Sequence, residues 1–155
     1  MVGKNEIMSE EELDKLIRFI QYAREDINQI VKNISLLLPM QPELCELIQR
    51  AWEKEVYPKF DEMKNYLKNR RPLNELAVRG LSGSQLEVEL RLYELRRKSF
   101  IQLMEKLRRP QQLGILKRIV RMLLYSIQTI LESLCFIPGS EAIKQFKDAL
   151  IDAVS

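Results

Sequence analysis

Apolar residues recur at alternating steps of three and four along four stretches of this chain, the spacing that lines one face of an α-helix. In the first stretch Leu13, Leu16, Ile20, Ala23, Ile27, Ile30, Ile34 and Leu37 form a heptad seam. Ser9 opens it as a cap, Glu12 stands three residues on to reach back, and acidic residues fill the first turn. Pro39 and Pro42 stop this helix and start the next. The second stretch places Leu44, Ile48, Trp52, Val56, Phe60, Met63 and Leu67 on one side. Its apolar phase runs through Pro58, which predicts one kinked helix over residues 43–69; the alternative is two short helices meeting at Tyr57.

Residues 72–84 read as a connector, with a helical turn expected over Leu73 to Val78 and caps at Ser82 and Ser84. A third helix then runs to Arg108 with Leu86, Leu90, Tyr93, Arg97, Phe100, Met104 and Leu107 on its seam. Pro110 restarts the chain, and Leu113, Leu116, Val120, Leu123, Ile127, Ile130 and Leu134 give a fourth seam, so the third and fourth helices form a tight antiparallel hairpin. Pro138 and Gly139 end it, and Ser140 is expected to cap a last helix that turns Ile143, Phe146, Leu150 and Val154 inward. No segment alternates as a strand. The expected fold is all-α: an elongated up-down-up-down four-helix bundle with a kinked second helix and a short fifth C-terminal helix, in one domain over residues 1–155. That last helix is expected to close one end or lie along a groove.

Two helices carry more apolar surface than a seam needs. On the third, Val88, Leu92, Leu95, Ser99 and Leu103 fall roughly 180–260° around from Leu86 at 100° per residue. Glu87, Arg91, Glu94, Lys98 and Glu105 separate the two faces on one side, and Glu89 with Arg96 on the other. The fourth helix adds Ile115, Ile119 and Met122 outside its seam. Either another helix covers this surface or another molecule does, and in the second case a symmetric dimer is the simplest arrangement. Arg97, the one charge in the third seam, is expected to pack its stem along the edge with the guanidinium reaching Glu94 or solvent; the alternative is a buried pair with an acid on a neighbouring helix, which would fix register at some cost in stability.

Composition narrows the chemistry. A length of 155 residues suits one domain with a real core, and five glycines with six prolines leave little room for low complexity, so little disorder is expected beyond the termini. There is no histidine, which removes Ser-His-Asp and Cys-His catalysis and the Glu-x-x-His ligation of di-iron bundles. Cys45 and Cys135 sit within apolar patterns without CxxC spacing and read as buried reduced thiols, so no metal and no cofactor are expected. The run Glu10-Glu11-Glu12 is explained by the start of a helix. Gly80-Leu81-Ser82-Gly83-Ser84 lacks the lysine and the strand of a P-loop and reads as turn plus cap. Ile119 to Ile137 is the one candidate membrane span, yet it includes Arg121 and Glu132, and a buried bundle helix explains it better. The N-terminus lacks the basic and apolar regions of a secretory signal, so a cytoplasmic protein is expected.

Charge placement is the last signal. Residues 91–121 hold ten basic residues against Glu94 and Glu105, although the whole chain carries only +3. In the expected topology the hairpin tip lies at the same end as the first interhelix turn, whose Leu36 and Met40 the seam cannot bury. Lys106, Arg108, Arg109, Lys117, Arg118, Arg121, Leu36 and Met40 are therefore candidate contacts for an anion or a membrane surface. Three function classes follow. First stands a non-enzymatic interaction module that self-associates or docks a protein on Val88, Leu92, Leu95, Ser99 and Leu103. A bundle recruited to anionic lipid by its basic hairpin is the alternative, and nucleic-acid binding comes third. No small-molecule substrate is expected.

Overall fold

A computed structural model describes residues 6–7, 9–69, 77–78, 83–106, 113–134 and 137–155. The described chain is all-α. Helix α1 spans Glu10–Lys32, followed by the short α2 at Ile34–Leu37. Helix α3 (Pro42–Ala51) runs through a π-helical turn (Trp52–Val56) into α4 (Tyr57–Lys68), and α5 (Gly83–Lys106), α6 (Leu113–Glu132) and α7 (Ser140–Val154) complete the set.

Each helix starts and stops for reasons its residues supply. The Ser9 hydroxyl accepts the Glu12 backbone N–H at 3.1 Å, and it donates to the Glu12 carboxylate instead of leaving that carboxylate to the Ser9 backbone. Asn33 interrupts the first seam by donating its side-chain amide to the Gln29 carbonyl, and Ile34 and Leu37 stay buried in the turn that follows. Pro58 is accommodated within one helical path instead of two separate helices. The wider turn before it, closed by the Tyr57 N–H on the Trp52 carbonyl, loosens the ladder where the proline ring would crowd the preceding turn. Gly139, not Ser140, occupies the cap of α7. Its φ of 94° is open to glycine, and a Cβ there would sit 3.2 Å from the Lys59 carbonyl oxygen.

The helical turn expected over Leu73 to Val78 is corrected at its end. Ala77–Val78 (β2) is extended and pairs antiparallel with Glu6–Ile7 (β1), while residues 73–76 lie outside the described set. Two residues are too few to make a layer. The pairing ties the segment before α1 to the connector between α4 and α5.

The helices form a closed ring in which α1 packs on α3 and α4, α4 on α7, α7 on α6, α6 on α5, and α5 back on α1. The pairs Arg24 with Asp61, Asn28 with Trp52, and Val31 with Gln49 show α1 antiparallel to the α3–α4 rod. Lys15 with Glu87 and Asp26 with Arg97 show α1 parallel to α5. The last helix lies along the groove between α4 and α6, where Phe146 stacks 5.4 Å from Trp52. Ile143, Leu150, Ile151 and Val154 close the core from that side. Among the described residues no helix is long and apolar enough to cross a membrane.

Phe19 of α1 meets the Tyr93 ring of α5 edge-on at 5.1 Å, and polar side chains join the two helices beside that contact. Arg97 makes the buried pair, not the solvent contact. Its Nε donates to Asp26 at 2.9 and 3.0 Å, its Nη2 reaches Glu25 at 3.1 Å, and its guanidinium lies 4.2 Å from the Tyr22 ring centre. Tyr93 donates its hydroxyl to the same buried Asp26 at 2.5 Å. Burial pushes the Asp26 carboxyl up to about 6, against the pull of Tyr93 and Arg97 toward ionisation. Burial and the neighbouring Asp26 also raise the Tyr93 phenol, so its proton stays in place.

Two outcomes follow for stability. Asp26 binds its proton more tightly folded, at about 6, than at its ordinary 3.8, so its contribution is greatest below that lower value and is lost as pH rises through the folded value, on the order of 3 kcal/mol. Urea unfolding of wild type and Asp26→Asn from pH 4 to 7 should show wild type losing ground to the variant as pH rises; a difference independent of pH would contradict the assignment. Arg97→Met should cost about 3–5 kcal/mol at pH 7, and less at pH 4.5, where the stranded carboxyl is protonated. Separately, Gly139→Ala should lower stability by about 1–3 kcal/mol in thermal melts, since both the backbone angle and the Lys59 carbonyl oppose a methyl group.

Candidate functional site: the outer face of α5 and α6

The third seam divides α5 into an inner and an outer half. Leu86, Leu90, Tyr93 and Phe100 are buried against the core, Met104 is half-buried, and Leu107 lies outside the described residues. Of the second stripe, Val88, Leu92 and Leu95 are exposed, Leu95 at 60%, and Ser99 is exposed with them. Leu103 is half-buried and packs on the core edge. On α6, Ile115, Met122 and Tyr125 are exposed at 57%, 44% and 51%, and Ile119 is half-buried.

Helix geometry joins the two stripes. Viewed down α5 with Tyr93 toward the core, Arg96 lies about 60° to one side, and Leu103, Leu92, Ser99, Val88 and Leu95 continue round that side to about 160°. Viewed down α6 with Leu123 toward the core, Ser126 lies about 60° to one side, with Ile115, Met122 and Tyr125 continuing to about 160°. Arg96 donates to Ser126, so those two flanks face each other. The stripes therefore border one apolar groove on the outside of the hairpin. None of the other helices of the ring reaches across it, because α1 and α7 pack on the remaining flanks.

The basic residues divide between internal and open positions. Arg96 and Arg97 are spent on Ser126 and on Asp26 with Glu25. Arg121 donates to the Val154 carbonyl at 3.4 Å, a cation on the C-terminus of α7. Lys106 and Arg118 are exposed and Lys117 is half-buried, while Arg108 and Arg109 lie outside the described residues. Near this end, where α2 meets α6, Leu36 and Met40 are exposed at 52% and 88%, joined by Leu47 at 61%.

The groups of the buried polar cluster are turned on one another. Both oxygens of Asp26 are occupied by Tyr93 and Arg97, and a raised Tyr93 cannot serve as a base near neutral pH. The cavity beside it, about 570 Å³, is lined by Glu25, Asn28, Gln29 and Asn33 on one wall and Arg97, Ile101, Met104 and Glu105 on the other. Among the described residues no three acidic or thiol groups converge as a metal site. Cys45 is buried and turns its thiol toward the Ile34 and Leu38 carbonyls; Cys135 lies outside the described residues.

Sequence reasoning missed Tyr125 and Leu47, although Tyr125 stands three residues after Met122 and extends the same stripe. It also missed Asp26, an acid one position ahead of Ile27 with no periodic signal of its own, and Lys147, which is fully buried with its Nζ on Asp148. Comparison with protein-family models, with curated proteins and with solved structures found no match.

The exposure of the outer face is directly checkable. In dilute solution Leu92→Glu with Leu95→Glu should retain the helical circular dichroism spectrum and keep stability within about 0.5 kcal/mol, whereas Phe100→Ala should cost about 3–5 kcal/mol. Loss of helicity in the double variant would place the stripe in the core.

Proposed function

We propose that this chain is a non-enzymatic helical-bundle interaction module of the cytoplasm that docks protein on the outer groove of α5 and α6. One observation carries the reading: Val88, Leu92, Leu95, Ile115, Met122 and Tyr125 stay exposed after the ring of helices has closed the core. Scattered apolar residues need no explanation, but a stripe along each wall of one groove is the form that recognition surfaces take. Arg91, Lys98 and Glu94 at its edge supply the polar rim of such a surface.

A photo-crosslinking residue at Leu95 tests this inside the expressing cell, with the exposed Glu53 as the control position. The expected result is a protein adduct of discrete mass from position 95 that Leu92→Glu removes. Adducts equal from both positions, or none from Leu95, would refute a docking role.

A second reading rests on the other apolar patch. Leu36, Met40 and Leu47 are exposed at the end that also presents Lys106, Lys117 and Arg118, a combination suited to anionic lipid. It predicts salt-sensitive sedimentation with phosphatidylserine vesicles and none with phosphatidylcholine vesicles. Nucleic-acid binding stands behind both, since Arg96, Arg97 and Arg121 are engaged inside the bundle.

A further inference from the structure

We infer that the occupant of the outer groove is a second copy of this chain, related by a two-fold axis that runs parallel to α5 and α6 in the plane of the face. This rests on the docking reading above and names its partner. Such an axis lays α5 of one copy over α6 of the other. Rotation about it moves nothing along it, so the heights at which α5 and α6 face each other within one chain also set what meets between chains. The Arg96–Ser126 hydrogen bond gives that height to within about one helical turn.

Stepping in opposite directions from that pair brings Leu95 to Tyr125 of the second copy. Ser99, the one small residue of the stripe, comes to Met122 and leaves room for it. The charges agree at one end of the same register. Arg91, held only loosely by Glu87 at 3.9 Å, comes to Glu132 of the second copy. The two-fold makes each contact twice.

The size is adequate. The twenty residues of α6 span about 30 Å, and two adjacent helices present a width of about 20 Å, so each copy would bury about 600 Å², the lower range of specific interfaces.

Charge reversal separates this arrangement from others. Light scattering on a sizing column should give a dimer for wild type, with Arg91→Glu and Glu132→Arg each about tenfold weaker in association because like charges then meet twice. Both residues are exposed, and circular dichroism verifies that the variants fold. Mixing the two single variants should restore a dimer, now mixed, since an arginine meets a glutamate at each of the two symmetric contacts. The double variant should also dimerise. A dimer broken by Leu92→Glu but indifferent to these reversals overturns the two-fold and leaves the docking reading standing. A monomer at 100 μM, together with a crosslinked adduct whose mass differs from twice 18.3 kDa, overturns self-pairing and again spares that reading. A dimer that ignores Leu92→Glu and Leu95→Glu overturns both.

Discussion

Asp26 sets how the first and third long helices lie against each other, and the ring follows from that. A carboxylate sunk between two helices is costly unless its lone pairs are filled, and here one guanidinium and one phenol fill them from the same helix. Because Tyr93 and Arg97 are one turn apart on α5, both can reach Asp26 in one rotation of that helix about its axis. Any other rotation leaves a buried charge without partners, at a cost of several kcal/mol. With α5 held so, its seam faces inward, its Arg96 points at α6, and Val88, Leu92 and Leu95 are left outside. The exposed face is thus a geometric consequence of a buried contact.

The rest of the wall is closed by adjustments at proline and glycine. A π-helical turn lets the α3–α4 rod pass Pro58 and keep Trp52, Val56, Phe60 and Met63 on one buried side. Trp52 then becomes the contact for α7, through Phe146, and holds α1 through its Nε1 on Asn28. Gly139 turns the chain into α7 directly against Lys59 and Glu62, so the same rod that Pro58 disturbs also seats the last helix. The fourth helix can be broadly apolar because α7 covers Leu124 and Leu131 on one flank while α5 covers the other.

The charge distribution illustrates how tertiary structure redirects a sequence signal. The concentration of arginine between residues 91 and 121 reads as a surface for anions, yet Arg96, Arg97 and Arg121 each face a hydroxyl, a carboxylate or a helix end within the bundle. What remains open in the described residues is Lys98, Lys106 and Arg118, with Arg91 loosely held. A cationic count therefore overstates the cationic surface, because long basic side chains can also reach polar groups on a neighbouring helix.

By itself the sequence determined the number of long helices, their inward faces and nearly all of the core, because a period of three and four in apolar residues has one stable use in water. Leu13 to Leu37, Trp52 to Leu67 and Leu116 to Leu134 are buried where that period puts them. It also marked Val88, Leu92 and Leu95 as surplus. Only the tertiary structure decided whether a neighbour covers them, since coverage depends on which helices are adjacent and periodicity is silent on adjacency. The same holds for Asp26, whose importance comes from two residues 67 and 71 positions away, and for the cap at Gly139, where a carbonyl of a distant helix excludes a side chain.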